Sequence, residues 1–157
     1  MAPELSDARI LVVGAVGCRR EPGPEAYTDR EPLPRFRVYM RATGGWDYQK
    51  MKYVDWTIEY SGTGQISFEY LSESDLGHIV HQEAELPPWK GYALWDELEK
   101  NGVWELVSDE SVTMEGRSLY RVELRLGDRR HEFKIYAPDF HRNKRYLRVT
   151  DAVKGFY

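Results

Sequence analysis

The segment Leu119–Pro138 constrains the fold of this chain most, because apolar and polar residues alternate on both sides of Gly127-Asp128. Side chains of a strand point to opposite faces in turn, so the alternation predicts two strands, each with one apolar and one solvated face. Strands joined by a short glycine-containing loop pair antiparallel. We therefore expect a half-buried antiparallel hairpin over residues 119–137.

The charges on the polar face of this hairpin favour one register. A two-residue loop would place Arg125 opposite Arg130 and Glu123 opposite Glu132, whereas a four-residue loop, Gly127 to Arg130, would place Arg125 opposite Glu132. Opposite charges that face each other contribute about 0.2–1 kcal/mol per pair, and facing like charges are destabilising. We therefore expect the four-residue loop.

A second alternating segment predicts a hairpin over residues 53–71. With a three-residue loop, Gly62 to Gly64, Trp56 would face Tyr70 and Ile58 would face Phe68. The final glycine suits the left-handed backbone conformation that such loops need. Further strands are predicted over residues 9–17, over 35–41 with a basic outer face, over 76–86 and over 103–107.

Two segments have helical periodicity. Residues 89–101 place Gly91, Leu94, Trp95 and Leu98 on one stripe, and Gly102 follows where a helix-terminating glycine belongs. Residues 143–154 have the same spacing of apolar side chains. The fold class predicted is α+β, a mainly antiparallel sheet with helices on one face or edge, and the alternative is a β-sandwich or half-barrel with peripheral helices.

The composition favours a soluble globular protein. The 157 residues are 41% hydrophobic and 31% charged, and suit a single domain over residues 1–157 with a loose N-terminus, 1–8, and a long polar loop, 19–34. The single cysteine excludes an internal disulfide. No apolar run is long enough to cross a membrane. We expect a cytoplasmic protein that does not associate with membranes, and the sequence leaves its oligomeric state open.

Motifs for catalysis or for cofactor binding are weak. Gly14-x-x-Gly17 lacks the helix that a phosphate-binding loop needs, since a proline-rich stretch follows it. The four histidines, His78, His81, His131 and His141, have no spacing that forces the three or four ligands of a zinc site to converge. Cys18 has no neighbouring base. We therefore expect no metal, no cofactor and no catalytic residue, and interpret His131 as lining the buried face of its hairpin.

The charges are distributed unevenly along the chain. Residues 129–148 contain seven basic side chains and two acidic ones, although the whole chain has a net charge of -4. Aromatic residues are interleaved with the basic ones, a pattern that suits an acidic protein surface or single-stranded nucleic acid. The candidate partner-binding residues are Arg129, Arg130, Tyr136, Phe140, Arg142, Lys144, Arg145 and Arg148.

Three functions are compatible with these features. The leading hypothesis is a non-catalytic protein-binding module with an aromatic and arginine-rich surface, such as an adaptor, an immunity-type inhibitor or a subunit of a larger assembly. The second hypothesis is nucleic-acid binding through residues 129–148. The third is a small enzyme whose site assembles from distant residues such as His78, Glu83 and His131.

Overall fold

A computed structural model of the chain describes residues 23–45, 50–109, 118–136 and 143–157. The strand predicted over residues 9–17 and the loose terminus, 1–8, lie outside them. Short 3₁₀ helices cover Pro24–Tyr27 and Val103–Glu105. The longer elements are β1 (Phe36–Thr43), β2 (Met51–Tyr60), β3 (Ile66–Ser74), β4 (Ile79–Leu86), α1 (Trp89–Lys100), β5 (Leu119–Leu126), β6 (Arg129–Tyr136) and α2 (Lys144–Lys154).

The six strands form one open sheet in the order β4-β3-β2-β1-β5-β6, and every neighbouring pair is antiparallel. With two helices beside the sheet, the α+β prediction is confirmed. The pairing between β1 and β5 joins elements that are distant in sequence, since each other pair consists of consecutive strands. β1 and β5 therefore connect a four-stranded meander, β1 to β4, to the hairpin formed by β5 and β6.

The register predicted for the hairpin over residues 53–71 is confirmed. Trp56 lies opposite Tyr70 and Ile58 lies opposite Phe68. Gly62 and Gly64 have φ values of 101° and 77° in the connecting loop. Both values lie in the left-handed region that favours glycine, so the loop chemistry and the apolar pattern specify the same register.

The register predicted for the hairpin over residues 119–137 is wrong. The loop is the two-residue one, and Arg125 lies opposite Arg130 while Glu123 lies opposite Glu132. Gly127 has a φ of 58°, and a glycine with positive φ at the first loop position is typical of a tight type II′ turn. Arg121 also relieves the facing carboxylates, since its guanidinium lies 3.3 Å from Glu123 and 3.2 Å from Glu132. Turn geometry and these ion pairs outweigh the directly facing like charges.

The strand predicted over residues 103–107 is also wrong. Gly102 ends α1 with a φ of 65° and leads directly into the 3₁₀ helix. Glu105 N donates to Gly102 O at 3.0 Å, and Leu106 N donates to Val103 O at 3.3 Å. Val103 and Leu106 are both buried. Their three-residue spacing follows the 3₁₀ repeat, which a short apolar run does not distinguish from strand alternation.

Both predicted helices are confirmed, and they pack on one face of the sheet. The predicted stripe of α1, Gly91, Leu94, Trp95 and Leu98, is buried. In α2, Tyr146, Val149 and Val153 are buried, and the Asn143 side chain caps the helix by accepting from Arg145 N at 3.0 Å. Alternate residues of all six strands join this core. No helix of the described residues lies over the opposite face, which we call the outer face.

Candidate functional site

The outer face consists of the strand residues that alternate with the core residues. Directly opposite residues of an antiparallel pair share a face, so the registers assign these side chains to rows that cross the sheet. From β4 to β6, one row is Glu85, Ser67, Glu59, Arg37, Arg125 and Arg130. The next rows are Glu83, Glu69, Thr57, Tyr39, Glu123 and Glu132, and then His81, Leu71, Asp55, Arg41, Arg121 and Lys134.

The centre of the outer face is a hydrogen-bonded cluster around Asp55. The Arg41 guanidinium donates to both Asp55 carboxylate oxygens at 2.8 Å, and the Tyr39 hydroxyl donates to Oδ1 at 3.1 Å. Arg41 also lies over the Tyr53 ring, 4.4 Å from its centroid. The hydrogen bond to Asp55 raises the pKa of Arg41. Burial, followed by the charge of Asp55, raises the pKa of Tyr39. The cluster therefore presents arginine and tyrosine side chains in fixed positions.

The half of the outer face formed by β1, β5 and β6 is basic. It carries six cationic side chains and two carboxylates, Glu123 and Glu132. At one end of it, Arg37, Arg125 and Arg130 line a groove of about 430 Å³ together with these carboxylates. Arg121 forms an ion pair with each carboxylate, so the groove keeps an excess of positive charge.

The half formed by β2, β3 and β4 is acidic. Glu59, Glu69, Glu83 and Glu85 line a groove of about 520 Å³. Beside it, His81 Nε2 lies 3.0 Å from Glu69 and 3.4 Å from Glu83, and ligand atoms of all three lie within 4.8 Å of one another. Two carboxylates and an imidazole are ligands that divalent cations accept. They are equally an ordinary exposed ion-pair cluster, and we assign no metal to it.

The structure separates most of the residues predicted to bind a partner. Arg130 and Tyr136 are outer-face positions of β6, whereas Arg129 lies on the helix side, 4.0 Å from the Trp104 ring centroid. Lys144, Arg145 and Arg148 belong to α2, which packs on that same side. Phe140 and Arg142 lie outside the described residues. Among the described residues, the basic segment therefore does not form one continuous groove.

The residues suggested for a catalytic site do not converge. His131 Nε2 lies 2.6 Å from Leu106 O on the helix side, which confirms that His131 lines the buried face of its hairpin. Glu83 is an outer-face residue of β4, at the opposite edge of the sheet from β6. His78 directly precedes β4. Five strand spacings of about 4.8 Å separate the two edges, so His131 does not converge with His78 and Glu83 on one site.

The aromatic residues divide between the core and the outer face. Trp56 and Trp95 are buried in the core, so they are not available to a partner. Tyr39 and Tyr53 instead accompany Arg37 and Arg41 on the outer face. The alternation in β1 predicts its basic outer face, but the sequence alone does not single out these residues, since Asp55 joins them only through the pairing of β1 with β2.

No protein-family model matches the chain, and no curated protein is similar enough to count as a relative. None of the helices in the described residues has both the length and the apolar character needed to cross a membrane.

Proposed function

We propose that this chain is a non-catalytic binding module that binds a protein partner through the outer face of its sheet. The observation that carries the proposal is the Asp55 cluster, in which Asp55 holds Tyr39 and Arg41, and Arg41 lies over the Tyr53 ring, on a face that no described helix covers. Tyrosine and arginine are the residue types that dominate binding energy in protein interfaces. Because Asp55 already orders Tyr39 and Arg41, less conformational entropy is lost when a partner binds.

The dimensions of the outer face also suit a protein interface. Six strands at a spacing of about 4.8 Å, each with about eight residues at a rise of 3.3 Å, give a face of roughly 700–800 Å². A standard interface buries about 800 Å² on each partner. Its separate acidic and basic halves would give the partner a preferred orientation, because complementary potentials fix the register of a complex.

Site-specific photo-cross-linking tests this proposal. A benzophenone amino acid at Thr57, in the centre of the outer face, should capture a defined protein from native cell extract. The matched control is the same amino acid at Glu99, an exposed position of α1 on the helix side. We expect one protein adduct from position 57 that is absent from position 99 and survives nuclease treatment.

Two results would overturn the proposal. Capture from position 99 alone would place the interface on the helix side. An adduct from position 57 that disappears with nuclease would indicate nucleic acid as the ligand of the outer face, in agreement with the second hypothesis.

A further inference from the structure

Three arginines are adjacent on the outer face because of the strand registers. β1 places Arg37 opposite Arg125 of β5, and β5 places Arg125 opposite Arg130 of β6. Neighbouring strands lie about 4.8 Å apart, so the three side chains start from a row about 10 Å long. We call this set the arginine row. Like charges directly opposite one another are destabilising, so the row is an unfavourable arrangement for the isolated protein.

The carboxylates around the arginine row do not neutralise it. Of its three members, Arg37 is the one with an acidic partner among the described residues, Glu59 at 3.2 Å, and that pair is exposed. Arg125 and Arg130 form no ion pair with the described residues. Glu123 and Glu132 line the same groove, but both are paired with Arg121. Two exposed guanidinium groups are therefore free to bind an anion.

We propose that the arginine row is a docking site for an acidic segment of a protein partner, whose carboxylates bind Arg125 and Arg130. This inference rests on the proposed function and specifies the chemistry of the partner. The planar guanidinium group matches a carboxylate in a two-point hydrogen bond. Carboxylates between the strands would also remove the repulsion between the facing arginines.

The shape of the site favours an acidic peptide over nucleic acid. A groove that follows a phosphate backbone needs positive charge over several nucleotides and aromatic rings for base stacking. The arginine row is about 10 Å long, and Glu123 and Glu132 lie beside it. The nearest outer-face ring, Tyr39, has Arg37 over it at 5.2 Å and donates its hydroxyl hydrogen bond to Asp55.

Calorimetric titration of the full chain with a hexaglutamate peptide at low salt tests this inference. We expect binding that the double variant Arg125→Gln/Arg130→Gln weakens at least tenfold. The matched control is Arg148→Gln, which removes an exposed arginine of the predicted basic segment from α2 on the other side of the sheet. Its affinity should stay within twofold of the wild type. Cooperative thermal unfolding of each variant establishes that it is folded.

The inference is overturned if the peptide does not bind, if Arg148→Gln weakens binding as much as the double variant, or if an eight-nucleotide oligo-dT binds the arginine row more tightly than the peptide. These outcomes are distinguishable from failure of the proposed function. Capture of a partner from position 57 without peptide binding would overturn the acidic docking site alone, whereas capture from position 99 alone would overturn the outer-face interface.

Discussion

At the scale of single residues, Asp55 holds the side chains of Arg41 and Tyr39 in place on the outer face. Its side chain is 12% exposed and accepts hydrogen bonds from Arg41 and Tyr39. We expect Asp55→Ala to lower the free energy of unfolding by about 1–3 kcal/mol, since it leaves three donor groups, two of Arg41 and one of Tyr39, without their acceptor. The loss should lie at the lower end, because Arg41 is 41% exposed and water can hydrate it. Urea denaturation measures the change.

The exposed pair of Arg37 and Glu59 provides a matched control. Glu59→Gln should lower the free energy of unfolding by less than about 1 kcal/mol, because exposed ion pairs contribute little. If Glu59→Gln destabilised the protein as much as Asp55→Ala, the special role of Asp55 would be excluded.

Tyr39 makes the stability of the folded protein depend on pH in the alkaline range. Burial and the charge of Asp55 raise its pKa above the usual value of about 10. The folded protein therefore keeps this proton to a higher pH than the unfolded chain does. The resulting stability is complete below about pH 10 and is lost as the pH rises through the folded-state pKa. In urea denaturation at about pH 9 and about pH 11, the stability advantage of the wild type over Tyr39→Phe should shrink. Tyr157→Phe, which removes an exposed hydroxyl, is the control, and a constant advantage over Tyr39→Phe would contradict the expectation.

At the scale of elements, Gly91 sets the distance between α1 and the sheet. A Cβ atom there would lie 2.6 Å from Leu33 Cδ2, 2.9 Å from Ile66 Cδ1 and 3.1 Å from Phe36 Cε2. Gly91→Ala gains about 1 kcal/mol of helix propensity, but overpacking a core costs about 1–3 kcal/mol. We expect a net destabilisation of about 1 kcal/mol.

A double-mutant cycle with Leu33→Ala checks this explanation. Truncation of Leu33 removes the closest contact, so Gly91→Ala should cost less in the Leu33→Ala background. An equal cost in both backgrounds, measured by urea denaturation, would show that the clash with Leu33 is not the cause.

The hairpin of β5 and β6 contains two successive arginines with opposite effects on stability. Arg130 faces Arg125, so Arg130→Gln should raise the free energy of unfolding by about 0.2–1 kcal/mol at low salt. Arg129 lies over the Trp104 ring, so Arg129→Gln should lower it by about 0.5–1 kcal/mol. Added salt should reduce the gain from Arg130→Gln, because ions screen exposed charges. Thermal or urea unfolding that gave both variants the same sign would contradict the assignment of the two faces.

At the scale of the whole molecule, the sequence predicted those features that depend on local periodicity. Apolar spacing and loop glycines predict the two helices, the strands over 35–41 and 76–86, and the register of the hairpin over 53–71. The charges do not predict the register at Gly127, because its turn conformation and the ion pairs of Arg121 with Glu123 and Glu132 outweigh the facing like charges.

The candidate site could not be predicted in the same way. Its central contact joins Arg41 to Asp55, and its arginine row joins Arg37 to Arg125 and Arg130. The second connection depends on the pairing of β1 with β5, and alternation within a strand does not reveal which distant strand it pairs with. Charge counted along residues 129–148 therefore selected side chains that the fold places on both sides of the sheet.

The pairing of β1 with β5, the one pairing between distant strands among the described residues, also determines the order in which the sheet can fold. Thr43 and Leu119, the closest partners of β1 and β5 in sequence, are 76 positions apart. Closing that loop costs about 2.5–3 kcal/mol more in conformational entropy than closing a hairpin loop of three or four residues. The meander of β1 to β4 and the hairpin of β5 and β6 should therefore form separately, and their joining should limit the folding rate. In native-state hydrogen exchange, we expect the amides that connect β1 to β5 to open together. The arginine row spans the pairing of β1 with β5. An acidic partner that binds it would therefore slow the separation of the meander from the hairpin.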